Sequence, residues 1–203
     1  MLNMSSTLKT RHNSRFEKSD FYTLSMWKEP TFTFLAWALP SFLFVLWSQN
    51  YAPDVEFYQN AIKEGIGPNL WNLIGSLALL MFGWSVVLSG WNSLRNVARL
   101  ILLNTYSIGS LTFGLLFGQL VTNFPTENVK WWQQGLFGVT SIGLFVMLIG
   151  YNFSIWYLSF LLGDAAGNKS RFLINLEQMN FIWRAAIGLA VATLVTILFF
   201  SEK

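Results

Sequence analysis

The sequence predicts an all-α integral membrane protein: a small bundle of five transmembrane helices, with the N-terminus cytoplasmic and the C-terminus outside. Three observations carry this. Apolar stretches recur at about 32–47, 71–90, 100–124, 135–162 and 182–200, and none of them contains Asp, Glu, Lys or His. Each reaches or approaches the roughly 20 residues that a helix needs to cross a hydrocarbon core. The composition agrees, with 53% of the 203 residues hydrophobic and 11% charged, against about 25% charged in a soluble domain. Finally, the basic residues are unevenly placed. Lys9, Arg11, Arg15, Lys18, Lys28, Arg95, Arg99, Lys169, Arg171 and Arg184 fall on the N-terminal side of the bilayer, and only Lys63, Lys130 and Lys203 fall opposite. Lys and Arg collect on the cytoplasmic side, which gives the orientation. Aromatic residues make up 17% of the chain, and Trp and Tyr settle at the headgroup level.

Residues 1–30 read as a polar cytoplasmic or stromal arm. Without an apolar run they are not a secretory signal. The first 16 residues, basic and free of acids, faintly resemble a transit segment, but Glu17, Asp20 and Glu29 follow and favour a plain arm. Phe21, Tyr22, Leu24, Met26 and Trp27 form an interfacial patch at its end. Residues 31–203 form the transmembrane domain. The first span carries Pro40 near its centre. The ring removes one backbone hydrogen bond and implies a kink, which Ser41 or a neighbouring helix must compensate.

The connection from 48 to 70 holds a short amphipathic helix over 54–64. Asp54 stands ready to cap it, Val55, Tyr58 and Ile62 share a face, and Gly65 ends it. A tight inner loop, 90–99, joins spans two and three. Arg95 and Arg99 stand four residues apart within it, so they share one face and fit an anionic headgroup or two snorkelling anchors. The outer loop, 123–134, contains Pro125 and then Trp131 and Trp132 as an interfacial belt. Beyond the long fourth span, 164–169 is turn-like and 171–179 reads as a surface helix. Trp183 and Arg184 open the fifth span, where Arg184 snorkels or pairs with Asp164 or Glu177.

The chemistry is sparse. There is no Cys, so disulfides, thiol catalysis and cysteine-held metal are excluded, and the single His, His12, lies in the polar arm. No carboxylate cluster stands at a span end, and no intramembrane acid is present for proton or sodium coupling. We expect no metal site and no catalytic residue. Small residues are placed for helix packing: Gly114 and Gly118 form a GxxxG pair, and Gly188 and Ala192 a weaker one. Asn104, Gln119 and Asn152 are the notable intramembrane amides. Such groups usually bond neighbouring helices. They can also contact a solute or a pigment, so chlorophyll or carotenoid is a conceivable cofactor alongside lipid.

These features point to a non-catalytic accessory, scaffold or assembly subunit of a larger membrane complex, bioenergetic or photosynthetic. Its partners are lipids and other membrane subunits, with no nucleic acid. A bacterial inner membrane, a thylakoid and an organelle inner membrane fit equally. The alternative is a small oligomeric transporter or channel subunit for an uncharged or lipid-like solute.

Overall fold

The structure, a computed structural model, describes residues 24–63, 66–124, 129–165, 168–169 and 171–200. Expectations for the arm before Leu24, including His12, and those for Gly65 and Pro125 lie outside the described residues. In chain order the described elements are α1 (Leu24–Tyr51), α2 (Glu56–Lys63), α3 (Ile66–Val87), α4 (Asn92–Thr122), α5 (Trp131–Leu161), β1 (Asp164–Ala165), β2 (Asn168–Lys169), α6 (Arg171–Gln178) and α7 (Phe181–Phe200). Segments Trp27–Tyr51, Leu70–Val87, Asn92–Thr122 and Trp131–Leu161 are long and apolar enough to cross a membrane, while α7 has a shorter apolar stretch, Phe181–Ile197.

Helix ends depart from the apolar runs for local reasons. α1 begins eight residues before the apolar run and continues through both Pro30 and Pro40. The Ser41 hydroxyl sits 2.9 Å from Trp37 O and 3.0 Å from Ala38 O, beside the gap that Pro40 leaves in the ladder. α2 starts at Glu56, not Asp54. Tyr58 N and Gln59 N donate to Val55 O, so Asp54 belongs to the preceding turn. The inner loop is shorter than expected: Trp91 N closes a turn on Leu88 O at 2.9 Å, and α4 starts at Asn92. Arg95 and Arg99 are therefore helical residues, not loop residues. Gln133 Oε1 accepts from Lys130 N at 3.1 Å to cap α5, and Asn180 Oδ1 accepts from Ile182 N at 3.3 Å to cap α7. The turn-like 164–169 segment is a minimal antiparallel ladder pairing Asp164 with Lys169 and Ala165 with Asn168.

The chain divides into two compact units. Among the described residues, one holds those within 24–29, 72–105 and 155–200, and the other those within 30–71 and 106–154. In the first, Gly75, Ala78, Phe82, Val86 and Ser89 form the buried stripe of α3 and its turn, and Ala98 and Leu102 are buried on α4. α6 buries Leu173 and Leu176 and stacks Phe172 on Phe82 with centroids 6.4 Å apart. Trp27 lies against Trp156 at 6.0 Å. In the second unit, α1 turns Ala38, Ser41, Val45 and Ser48 inward. Phe34, Phe113, Phe117 and Phe145 form a continuous ring cluster with centroids 5.1–6.0 Å apart. Pairs of this geometry contribute about 0.5–1.5 kcal/mol each beyond their buried area. Tyr58 packs edge-on against Phe44 and Trp47, both at 5.7 Å, and Ile62 is buried, so α2 folds onto the end of α1.

Candidate functional site

Three polar clusters stand out. The first forms around Ser89, in the turn between α3 and α4. Arg95, one turn into α4, reaches back and donates from Nη1 to Ser89 O at 3.1 Å. Its other Nη1 neighbour is Glu177 Oε1 of α6, at 3.7 Å. Arg184, in the first turn of α7, donates from Nη1 to the Ser89 hydroxyl. Its Cζ lies 5.9 Å from the Phe181 ring centroid, in the range of a cation–π contact. Two guanidinium groups thus converge on one serine from two helices, and the carboxylate at hand belongs to Arg95.

This corrects the expected location of Arg95. Its side chain is 1% exposed, an interior position in place of the expected surface one. The cause is the short turn: with α4 starting at Asn92, Arg95 falls on the stripe that continues through Ala98 and Leu102 into the interior. Arg99 is half-buried, and Arg184 is half-buried beside Ser89. The pairing with Glu177 considered for Arg184 is made by Arg95 instead.

The second cluster surrounds Asn152 of α5. Its Nδ2 donates to Tyr106 O at 3.1 Å and to the Ser110 hydroxyl at 3.0 Å, and Ser110 donates in turn to Tyr106 O at 2.8 Å. The Tyr106 hydroxyl donates to Pro30 O at 2.6 Å. Asn152 Oδ1 and Trp71 Nε1 are both buried without a hydrogen-bond partner. A Cβ built on Gly109 would collide with both atoms. The absent side chain at Gly109 is what lets an indole donor and an amide acceptor enter the same small space. Asn152 is thus committed to the interior of this unit, with its amide nitrogen spent on α4.

The third cluster is a cleft of about 330 Å³ lined by Gln49, Gln59, Ile62, Gln119 and Asn123. Gln49 Nε2 donates to Gln59 Oε1 at 3.0 Å, Gln119 Nε2 donates to Ile62 O, and Asn123 Nδ2 donates to Gln119 O at 3.1 Å. The lining offers amide donors and acceptors and no charge, a chemistry suited to a neutral hydrogen-bonding molecule. Composition alone did not single out Gln49 and Gln59. The signal was available in their positions, one at the end of α1 and one on the inner face of α2.

The three intramembrane amides differ in their surroundings. Asn104 is exposed on α4, Gln119 bonds Ile62 O at the cleft, and Asn152 sits in its own network. Pro40 of α1 is itself exposed. The small residues do sit at close approaches. A Cβ on Gly114 would strike Ala38 O and Ser41 Oγ, and one on Gly118 would lie 2.7 Å from Val45 Cβ. The Ser41 hydroxyl also lies 2.9 Å from Leu111 O, across the same helix contact. Gly188 faces Val87 and Gly83, where an added Cβ would strike Val87. Ala192 lines the groove beside that contact.

Fold and site together define a helical protein with four membrane-length apolar helices and buried polar clusters between them. No protein-family model, characterised protein or solved structure matches the chain.

Proposed function

We propose that this chain is a five-span, N-in integral membrane subunit that performs no chemistry of its own and holds other membrane subunits through α5, with α7 as its fifth span. The observation that carries the reading is the open face of α5. Only 11% of its apolar window is buried, against 44% for α4. Val139, Val146 and Met147 are exposed, and a Cβ at Gly143 or Gly150 would meet nothing within 4 Å. Lipid tails cover an apolar face whatever its relief. Glycines two turns apart on such a face benefit the close approach of another backbone, which is how helices associate in a bilayer.

The test is a mild-detergent pull-down of the tagged chain beside Gly143→Leu and Gly150→Leu. The reading expects partner subunits to be lost in both variants while the chain still accumulates in the membrane. Unchanged partners would remove α5 as the docking face. An absorption spectrum of the same eluate reports bound chlorophyll or carotenoid.

A second reading, a small transporter or channel subunit for an uncharged solute, draws support from the amide-lined cleft at Gln49, Gln59, Gln119 and Asn123. It expects solute flux in liposomes from the purified chain alone, reduced by Gln119→Leu.

A further inference from the structure

Alongside the contact of Gly83 with Gly188, α3 and α7 leave an apolar groove of about 270 Å³, walled by Leu80, Gly83 and Trp84 on one side and by Ala185, Gly188 and Ala192 on the other. From Ala185 to Ala192 it follows about 10 Å of helix at about 1.5 Å per residue. It starts at the residue after Arg184, whose guanidinium is the least compensated cation of the Ser89 cluster. Arg184 donates to one neutral hydroxyl, its Nε is buried without a hydrogen-bond partner, and no carboxylate pairs with it among the described residues. Arg95 adds a second guanidinium on the other side of Ser89, with Glu177 as its partner. Removing a cation from water without a counter-charge is costly. A guanidinium with free donors matches a phosphate or carboxylate.

We propose that the groove between α3 and α7 holds an acyl chain of one anionic membrane lipid, whose headgroup is bound by Arg184. The inference goes beyond the subunit reading and shares with it only that α7 lies in the bilayer. The acyl chain fills the groove that runs beside the close approach of Gly83 and Gly188. The headgroup supplies the negative charge missing at Ser89. A zwitterionic lipid fills the same groove but brings its own cation to Arg184, so the site selects by headgroup charge.

The test is native mass spectrometry of the full chain released from nanodiscs of phosphatidylcholine containing a minor fraction of phosphatidylglycerol. The wild type should retain one phosphatidylglycerol per chain in preference to phosphatidylcholine. Arg184→Gln should lower that preference about tenfold, Arg184→Lys should keep most of it, and Lys130→Gln should leave it unchanged. Ala192→Trp, which fills the groove while sparing Arg184, should displace the lipid. Equal retention of the two lipids by the wild type would overturn the proposal, as would retention unaffected by Arg184→Gln. Displacement by inorganic phosphate would also overturn it, since that marks an anion site without an acyl groove. Resistance of the chain to alkaline extraction and labelling of Lys203→Cys from outside read the membrane span separately. A lost lipid with an intact span therefore counts against this site alone.

Discussion

Arg95 of α4 and Glu177 of α6 form an ion pair at 3.7 Å, with the arginine 1% exposed and the carboxylate side chain 29% exposed. The asymmetry has a consequence. Replacing the carboxylate leaves a buried charge with less compensation, whereas replacing the arginine leaves a carboxylate that water still reaches. Glu177→Gln should destabilise the protein by about 2 kcal/mol, the scale of a hydrogen bond to a charged group. Arg95→Met should cost less. Thermal unfolding in detergent ranks the two variants, and the reverse order would show that Arg95 matters chiefly through Ser89.

Asn152 gives a second expectation. Its Nδ2 joins α5 to α4 through Tyr106 O and Ser110. Bonds of this kind average about 0.6 kcal/mol each in a membrane protein. Asn152→Leu should therefore cost about 1 kcal/mol, measured as a shift in the unfolding midpoint. Gly109→Ala should cost more, because its methyl group would collide with Asn152 Oδ1 and Trp71 Nε1.

Glycines predict opposite outcomes on α4 and α5. Gly118→Leu forces a side chain into Val45 and should destabilise the chain by about 1–3 kcal/mol or more, the usual cost of overpacking. Gly143→Leu places its side chain in open space and should leave the isolated chain's stability unchanged. Unfolding curves of the two purified variants make the comparison directly.

The orientation is accessible because the chain has no cysteine of its own. With the N-terminus inside, Ser93→Cys and Gln178→Cys should react with an impermeant maleimide only when the cytoplasmic face is open, and Lys130→Cys should react from outside. The reverse pattern would invert the topology while leaving the helices as they are.

The apolar runs located the long helices because hydrophobic length is a property of a segment by itself. Helix ends were less legible. α1 extends back to Leu24 through Pro30, and α4 begins at Asn92, because short turns and caps set those boundaries. The GxxxG pair of α4 could be read as a packing site but not assigned to α1, since its partner face of Ala38, Ser41 and Val45 emerges only on folding. Arg95 resembles a surface group in the sequence for a similar reason. Its burial depends on Ser89, six residues back, and on Glu177, 82 residues ahead, a pairing that no local pattern records. The amide cleft joins the ends of α1, α2 and α4, and its side chains are ordinary residues until those ends meet.

The central claim, that this chain works as a subunit, is tested most directly by the mass and composition of the particle extracted from its native membrane in mild detergent. The account predicts a particle heavier than one 23.2 kDa chain, containing other membrane proteins at fixed stoichiometry. A stable monomer that carries lipid and no other protein would contradict it.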